Sequence, residues 1–447
     1  MKTEDTISAI ATALGTAGVG IIRMSGENSI AIAEKIFDRP LQTAPDRKII
    51  FGHIKNPAGE IVDEVLILIM RAPKSYTREN VVEIQCHGGV EVLREILSLT
   101  FKAGARPAER GEFTKRAFLN GRLDLSQAQA VLDVIQAKTA TALSVAQNQL
   151  AGKTSKKIRA IRTEILNVLA HIEALIDFPE DDIDDAVTSE LDAKILAQID
   201  AVKIFLANQR SGRILREGLE TAIIGKPNVG KSSLLNFLAE TDRAIVTDIP
   251  GTTRDSIEEF VNIRGVPLKI IDTAGIRSSD NPVEQIGIER AKDCAGRAEL
   301  ILALFDSSRE ISAEDLEILR LIEGRSAIIL LTKADLTQVI DTARFENFIA
   351  ISVKTGAGVE KFLDTIAEKA GAVNAEMNFV RDEREADLLR RAVENLEEAR
   401  ATLSKNIGID FVAIDLRAAL ELLSELTGES VTEDVINEIF SKFCIGK

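Results

Sequence analysis

Several residue types on which specialised functions depend are rare in this 447-residue sequence. It has no tryptophan and one tyrosine, which argues against a broad surface on which nucleic-acid bases stack. Its three cysteines are far apart and odd in number, and its three histidines lack metal-ligand spacing, so neither a disulfide framework nor a zinc site is expected. Because 45% of the residues are hydrophobic and only ten are proline, the chain should be packed rather than disordered.

Positive charge is also scarce. Lysine and arginine number 55 against 70 acidic residues, a net charge of −15, which argues against coating nucleic acid through bulk charge but allows a local basic patch. Glu4 and Asp5 stand where a signal peptide would carry basic residues. No apolar run approaches the roughly 20 residues that cross a bilayer. The sequence predicts a cytoplasmic protein with no membrane association.

Hydrophobic periodicity changes along the chain, and the length predicts roughly three domains at about 150 residues each. Residues 1–119 mix strand-like runs with helices near 28–37 and 90–103, as in an α+β domain. Helical periodicity fills 120–216 and 375–447, whereas 217–374 alternates apolar strands with helices, as in a doubly wound α/β domain. The simplest topology is an α/β domain inserted into one all-α domain built from both flanks. Independent helical blocks are the alternative.

Two capping boxes are predicted within the helical blocks. Ser126 and Gln129 have the required spacing before an apolar helix face, and Ser430 and Glu433 have it before the last helix. Each would mark a helix start.

A phosphate-binding loop is predicted at 225–232, where GKPNVGKS fits the pattern GxxxxGK[ST] between a strand and a helix. The glycines let backbone N–H groups turn toward phosphate beside a helix N-terminus that favours an anion. Lys231 would reach the β- and γ-phosphates, and the Ser232 hydroxyl would hold Mg²⁺. The nucleotide-binding residues predicted here are Asn228, Val229, Gly230, Lys231, Ser232 and Ser233.

Three further motifs follow in the order of a Ras-like GTPase. Thr252-Thr253 offers a threonine for Mg²⁺, and Asp272-Thr273-Ala274-Gly275 offers an outer-sphere Mg²⁺ carboxylate and a glycine N–H for the γ-phosphate. Asp335 in Thr332-Lys333-Ala334-Asp335 can accept two hydrogen bonds from guanine, a donor pair that adenine lacks. Ser352-Val353-Lys354 would close the base pocket. Together the motifs predict a P-loop domain that binds GTP.

Two departures from the usual GTPase pattern have consequences. Thr332 replaces the customary Asn and lacks its amide, so a weaker tie between base pocket and phosphate loop, with lower guanine affinity, is expected. Ile276 replaces the Gln that orients water after the DxxG motif. A monovalent cation or another side chain must then assist hydrolysis, or hydrolysis is very slow. For an acidic residue in such a loop, the alternative to a catalytic role is an ordinary charge exposed to solvent. The candidate side chains are Arg254, Arg277, Asp280 and Glu284.

With these motifs assembled, the whole chain resembles the MnmE (TrmE) family, the GTPases of tRNA wobble-uridine modification. The GTPase motifs alone would also suit ribosome-assembly GTPases of the Era or Der type. The additional resemblance lies in five segments: Gly18–Gly26 (GVGIIRMSG), Glu83–Gly89 (EIQCHGG), Arg110–Thr114 (RGEFT), Arg116–Leu125 (RAFLNGRLDL) and the tail Phe443–Lys447 (FCIGK).

The resemblance implies an N-terminal domain that binds 5-formyltetrahydrofolate or a related tetrahydrofolate and that makes the protein a homodimer. Arg23, Glu83, Arg122 and Lys447 match the folate contacts. The family often has Lys where Arg122 stands, which keeps the charge and changes the contact geometry.

The resemblance also implies that K⁺ acts where an arginine finger would, between GTPase domains that pair across the dimer. Asn228 matches the side-chain ligand of K⁺, and Thr247, Ile249 and Thr252 match its backbone ligands. Ser232 and Thr253 match the Mg²⁺ ligands, and Glu284 matches the acid that orients water. Pro250 replaces the usual Ala but leaves the loop carbonyls intact. The rest of this nucleotide-binding loop comprises Asp248, Pro250 and Gly251.

Cys444 has two interpretations. As a thiol on a mobile tail it can serve as a nucleophile in the modification reaction, which the family pattern favours. As a small apolar residue it can pack behind Phe443 and Phe440, which is the commoner role of cysteine.

The function that the resemblance implies is K⁺-stimulated GTP hydrolysis coupled to tRNA modification. Together with the flavin-dependent partner MnmG (GidA), the protein would add an aminomethyl or carboxymethylaminomethyl group to carbon five of wobble uridine, with folate supplying the one-carbon unit. A regulatory ribosome-assembly GTPase is the alternative. The basic stretch 153–162 either tracks RNA phosphates or forms a solvated helix face.

Overall fold

A computed structural model describes residues 5–177, 185–241, 259–271, 292–371, 379–405 and 408–447. The chain divides into two compact units. The first unit comprises Met1–Leu132, Gln149–Arg162 and Leu420–Lys447, and the second comprises Asp133–Asn148 and Thr163–Ala419. Within the described ranges, no helix is both long enough and apolar enough to cross a membrane.

The first unit is built on a six-stranded sheet of order β3-β4-β5-β2-β1-β6. Its neighbouring strands are antiparallel except β1 and β6, which are parallel. Three helices accompany the sheet: α1 (Ser29–Ile36), α2 (Val90–Ala103) and α3 (Glu112–Leu119). The strands are β1 (Ile7–Ile10), β2 (Ala17–Ser25), β3 (Ile49–Lys55), β4 (Ile61–Met70), β5 (Val81–Gly88) and β6 (Arg106–Pro107).

The two faces of this sheet differ in polarity and burial. Val65, Ile67 and Ile69 of β4 turn to one face and are buried in a core with α1 and α2. The residues between them turn to the other face, because side chains alternate along a strand. That opposite face is open: Leu66 and its cross-strand partner Phe51 are exposed there. The α+β prediction for this part of the chain is confirmed.

Helices dominate the chain after the first sheet. They are α4 (Leu125–Gln136), α5 (Ala140–Leu150), α6 (Lys153–Asp177), α7 (Asp185–Ala207) and α8 (Gln209–Glu217). Within the first unit, α4 contributes Leu125, Ala128 and Leu132 to a core that Phe440 and Phe443 complete.

The second unit holds a six-stranded sheet of order β12-β11-β10-β7-β9-β8. All neighbours are parallel except β8 and β9, which form an antiparallel hairpin. The strands are β7 (Leu219–Gly225), β8 (Glu259–Ile263), β9 (Val266–Ile270), β10 (Leu300–Asp306), β11 (Ala327–Thr332) and β12 (Ile349–Ala350). Helices that follow its strands include α9 (Lys231–Thr241), α10 (Ala313–Ile322) and α11 (Val359–Ala370).

Both faces of this second sheet are buried, as in other sheets that carry helices on each side. Strand β10 shows this directly: Leu302 and Leu304 enter one apolar core, whereas Ala303 and Phe305 enter the other. The predicted alternation of strands and helices is therefore confirmed. Because β7 is central and parallel to β10, its carboxyl end opens onto the edge where loops bind ligands in such sheets.

Helices also close the chain. They are α12 (Glu383–Lys405), α13 (Ile409–Thr427) and α14 (Glu433–Ser441). Helix α12 packs against α7 in the second unit, where Arg400 pairs with Asp192 at 2.7 Å.

Both predicted capping boxes are wrong. Helix α4 is capped two residues earlier, at Asp124. Asp124 Oδ1 accepts from the Gln127 N–H at 2.9 Å, and Gln127 Oε1 accepts from the Asp124 N–H at 3.0 Å. At the last helix, Thr432 is the N-cap and makes no side-chain cap bond. The Ser430 hydroxyl instead donates to the Glu421 carbonyl at 3.4 Å.

The corrected cap predicts a specific stability difference. Asp124→Ala should lower the free energy of unfolding by about 1 kcal/mol, because an orphan N–H at the start of α4 loses its acceptor and the ion pair with Arg159 is lost. Ser126→Ala, the matched control, should change it by less than about 0.5 kcal/mol. Urea unfolding with hydrogen exchange of the α4 amides measures both. Equal effects of the two substitutions would contradict the Asp124 cap.

Candidate functional site

The phosphate loop connects β7 to α9. Gly225 is pressed against the neighbouring strand, so a Cβ there would lie 2.8 Å from the Leu304 carbonyl oxygen. Asn228 and Gly230 both have positive φ, at 60° and 106°, and a Cβ on Gly230 would meet nothing nearer than Thr332 at 3.9 Å. The loop therefore bends through conformations that favour glycine around open space beside the helix N-terminus.

Lys231 is aimed across this loop. Its ammonium donates to the carbonyls of Gly225 at 2.6 Å and Lys226 at 2.7 Å. Burial lowers the pKa of Lys231, and no described carboxylate offsets that shift. A phosphate beside the ammonium would favour its charged form, so the residues present fit an anionic ligand.

Thr332 ties the base-recognition loop to the phosphate loop. Its hydroxyl lies 2.7 Å from the Val229 carbonyl and 3.1 Å from the Phe305 carbonyl, and it is buried. The tie between the two loops is therefore present, and its weakening relative to an amide stays a prediction. A hydroxyl makes the connection, although it has one proton to share between two acceptors.

The base-recognition loop is held by polar contacts around Asp335. The Ser352 hydroxyl donates to Asp335 Oδ1 at 2.7 Å, and this bond is the main reason that the pKa of Asp335 lies below its usual value. Ser352 is buried, Val353 is half-buried, and Lys354 and Ala334 are exposed.

Asp306, at the end of β10, contacts the predicted base-recognition loop, and the motifs do not identify it. Its carboxylate pairs with the Lys333 ammonium at 2.6 Å and accepts from the Ser308 hydroxyl at 2.6 Å. Although burial opposes the shift most strongly, the bonds to Lys333 and Ser308 hold the pKa of Asp306 below its usual value. Lys333 has a φ of 57°, a strained value for a residue other than glycine, and the ion pair fixes it there. An acid ending the strand before the base-recognition motif was the available signal.

Several predicted residues lie outside the described residues, so their placement stays a prediction. They include the whole loop with the backbone K⁺ ligands, the DxxG motif and the candidates for orienting water. They are Thr247, Asp248, Ile249, Pro250, Gly251, Thr252, Thr253, Arg254, Asp272, Thr273, Ala274, Gly275, Ile276, Arg277, Asp280 and Glu284. Ser232 and Ser233 are described and lie exposed in the first turn of α9.

A second cluster lies on the open face of the first sheet. Arg23 of β2 and Glu83 of β5 are cross-strand partners, and Arg23 Nε donates to Glu83 Oε1 at 2.8 Å. Arg23 also donates to the Gly446 carbonyl at 3.3 Å. Burial and then the Arg23 charge lower the pKa of Lys447, while Glu83 and Cys444 oppose that shift. The sheet and the last residues therefore meet around one guanidinium.

The tail is held in place by contacts within the first unit. Phe443 is buried against Phe440, with ring centres 5.2 Å apart. Ile445 forms an antiparallel bridge with Arg110, and the Gly111 N–H donates to the Cys444 carbonyl at 3.3 Å. The structure thus corrects the expectation of a mobile tail. It also exposes Cys444, so the interpretation of this thiol as a buried packing residue is wrong.

Cys86 contrasts with Cys444. It is buried in the first sheet, and desolvation raises the pKa of its thiol to about 11. Since thiolate is the reactive form, Cys86 is inert at neutral pH and Cys444 is the accessible thiol of the first unit.

Arg122 and Arg23 both lie near the aromatic ring of Tyr76. Its guanidinium carbon lies 4.6 Å from the centre of the Tyr76 ring, and the Tyr76 hydroxyl lies 2.9 Å from the Thr114 hydroxyl. The Arg23 guanidinium carbon is 5.9 Å from the same ring. Tyr76 therefore orients both predicted folate-binding arginines. The sequence gives only a weak indication of this role. Tyr76 is its one tyrosine, but no motif contains it.

A central parallel strand, a glycine-bearing loop, a helix that begins at Lys231 and a base-recognition loop beside them define a P-loop nucleotide-binding domain. The chain matches two family models: GTP-binding protein TrmE N-terminus over residues 6–122 and MnmE helical domain over residues 125–444. The chain belongs to the MnmE family of tRNA modification GTPases.

Curated relatives resemble the chain along its full length. The tRNA modification GTPase MnmE of Alkaliphilus oremlandii is 46% identical, with 100% of both chains covered. The protein of the same name from Streptococcus pyogenes is 47% identical, covering 100% of this chain and 99% of the relative. A solved structure, Aquifex aeolicus Era bound to GDP and aluminium fluoride, is 24% identical over 39% of this chain and 65% of its own, with a TM-score of 0.27.

The Thr332 contact predicts how substitutions alter nucleotide affinity. Thr332→Val should weaken GDP binding about tenfold, because the buried Val229 carbonyl loses its donor at a cost of about 1–3 kcal/mol. Thr332→Ser keeps the hydroxyl and should bind within about threefold of the wild type. Titration with a fluorescent GDP analogue measures both. Unchanged affinity in Thr332→Val would show that the tie is dispensable.

Proposed function

We propose that this protein is a K⁺-stimulated GTPase that modifies tRNA. Together with the flavin-dependent partner MnmG, it adds an aminomethyl or carboxymethylaminomethyl group to carbon five of wobble uridine, and a tetrahydrofolate supplies the one-carbon unit. The observation that carries this proposal is the phosphate loop organised around Lys231, within a chain 46–47% identical along its full length to curated tRNA modification GTPases.

In the nucleotide site, each proposed role follows from side-chain chemistry. Lys231 binds the β- and γ-phosphates, and Asp335 accepts the paired donors of guanine. Ser232 and Thr253 would hold Mg²⁺, which would supply positive charge to offset the negative charge that develops on the phosphates. Glu284 orients the attacking water.

K⁺ would take the place of an arginine finger in this site. Asn228 lies in the described part of the phosphate loop with an exposed side chain in a left-handed turn, which leaves its amide oxygen open to a cation. Thr247, Ile249 and Thr252 would supply backbone carbonyls. An oxygen-only ligand set of this kind suits a hard cation.

The folate site is proposed on the open face of the first sheet. Arg23 and Arg122 suit the glutamate carboxylate of folate, and the Glu83 carboxylate suits the donors of the pterin ring. The Arg23–Glu83 pair is largely but not fully buried, so its free edges remain available to a ligand. Lys447 adds a cation beside this pair. Cys444, exposed next to Lys447, is the proposed nucleophile of the modification reaction.

The same sheet face supports a homodimer. Ile49 and Phe51 of the edge strand and Leu66 of its neighbour are exposed to 64%, 44% and 37%, and they share the face that carries Glu83. An exposed apolar row on one side of a sheet is typical of an interface between subunits. The proposed domains are 1–119 for folate binding and dimerisation, 217–374 for GTP hydrolysis, and a helical domain from 120–216 and 375–447.

The proposed activity is tested by nucleoside analysis of tRNA. Cells lacking the protein should lose the carbon-five modification of wobble uridine, and the wild-type gene should restore it. Lys231→Ala should fail to restore it and should lose GTP hydrolysis, whereas Lys361→Ala, a change of an exposed lysine on α11, should restore both. K⁺ should accelerate wild-type hydrolysis relative to Na⁺.

Two outcomes would contradict this proposal. Unchanged wobble uridines in cells lacking the protein would favour a ribosome-assembly GTPase of the Era or Der type. Normal modification by Cys444→Ser would reject the nucleophile alone and leave the rest intact.

The folate site is tested by binding of 5-formyltetrahydrofolate to the purified protein. Glu83→Gln should weaken binding at least tenfold, since a hydrogen bond to a charged group contributes about 1.5–3 kcal/mol. Glu64→Gln, which changes an exposed carboxylate on β4, is the matched control and should leave binding unchanged. Calorimetric titration gives both affinities. Equal affinities for the two variants would exclude Glu83 from the site.

A further inference from the structure

Lys226 makes separate contacts through its backbone and through its side chain. Its backbone carbonyl is one of the two that receive the Lys231 ammonium, at 2.7 Å. Its own side chain leaves the phosphate loop and places its ammonium 2.5 Å from Asp315 Oδ2 and 2.9 Å from the Ser312 hydroxyl oxygen. One residue therefore joins the phosphate-binding lysine to the start of α10.

The partners of Lys226 form the capping box of α10. The Ser312 N–H donates to Asp315 Oδ2 at 2.9 Å, and the Asp315 N–H donates to the Ser312 hydroxyl at 3.4 Å. A serine and an aspartate complete such a cap by themselves. The lysine is not needed for it, so its ion pair with Asp315 requires a different explanation.

Asp315 is unusually dependent on that lysine. Its side chain is 4% exposed, and within the described part of the chain Lys226 is the cation paired with it. Its Oδ1 atom is buried and has no hydrogen-bond partner among the described residues, so Oδ2 accepts all of the contacts. A buried carboxylate is stable only when a cation compensates its charge. The pair therefore fixes the Lys226 side chain firmly.

We propose that Asp315 is a positioning residue for the nucleotide phosphates. It anchors the Lys226 side chain, which holds the Lys226 carbonyl in the orientation that receives the ammonium of Lys231. This inference rests on the proposed GTP-binding function and assigns the α10 cap a role in it. The contact joins Lys226 to Ser312, 86 positions further along the chain, so the start of α10 helps to set the shape of the loop.

Loss of the Asp315–Lys226 contact should affect phosphate binding and not base recognition. Without the anchor, the Lys226 peptide can rotate and Lys231 loses one of its two carbonyl acceptors, so phosphate binding must first order the loop. Base recognition is unaffected, because Asp335 and Ser352 lie in separate loops and contact each other directly. Affinity for guanine nucleotides should fall while the preference for GDP over ADP is kept.

The test uses a double-mutant cycle in the full-length protein. Asp315→Asn keeps an acceptor for the Ser312 N–H and removes the charge, and Lys226→Met removes the ammonium. Each is expected to weaken binding of a fluorescent GDP analogue about tenfold, and the double variant should be no weaker than the weaker single variant. Lys226→Arg restores a cation and should bind within about twofold of the wild type.

The matched control changes an ion pair at the amino end of β10. Glu299→Gln removes the charge from the ion pair between Glu299 and Arg213, which measures 2.5 Å, and should leave nucleotide affinity unchanged. Thermal unfolding of each variant separates lost binding from lost folding. Because Lys226→Met leaves a buried charge, the double variant is the check if that single variant is unstable.

Three outcomes overturn the inference: wild-type affinity in Asp315→Asn, additive losses in the double variant, or a changed ratio of GDP to ADP affinity. In each of these the proposed GTPase function stands, because the wild-type protein binds GDP. If the wild-type protein binds no guanine nucleotide, the proposed function fails together with the inference.

Discussion

The nucleotide site depends on how one buried ammonium is satisfied. Lys231 sits partly out of water, so its charge must be stabilised by oxygens that the protein provides. Two backbone carbonyls do this, and they can do so only if the loop that carries them is turned inward. Gly225 permits that turn because any side chain there would strike the Leu304 carbonyl. The shape of the loop and the position of the Lys231 side chain therefore depend on each other.

That constraint extends beyond the loop through Thr332. Its hydroxyl lies between the carbonyl of Val229 in the phosphate loop and that of Phe305 at the end of β10. A threonine satisfies this position with one proton where an amide would bring two. Asp306 adds a second connection by holding Lys333 in a left-handed conformation. The loops proposed to bind phosphate and base are thus connected at the carboxyl edge of the sheet.

Hydrophobic periodicity predicts most of the strands and helices, because it reflects which faces of each element are buried. The apolar run 300–305 of β10 follows from burial on two faces, and the helix near 90–103 follows from burial on one face. Caps are harder, because several polar residues near a helix start satisfy the same pattern. Asp124 rather than Ser126 caps α4, and its carboxylate also pairs with Arg159. Sequence spacing cannot reveal that ion pair. The Thr332 contact joins residues 103 positions apart and is likewise invisible to motif spacing.

On the open face of the first sheet, charge and apolar surface lie side by side. Arg23 serves Glu83, the Gly446 carbonyl and the Tyr76 ring at once, so the tail and the strands are arranged by the same group. Gly446 makes this approach possible, because a Cβ there would lie 2.3 Å from the Ile10 carbonyl oxygen. If a second copy covers the exposed row that includes Phe51 and Leu66, water is excluded near the Arg23–Glu83 pair and its interactions strengthen. The proposed dimer and the proposed folate site would then reinforce each other, since each supplies the low-dielectric surroundings or the charge pairing that the other requires.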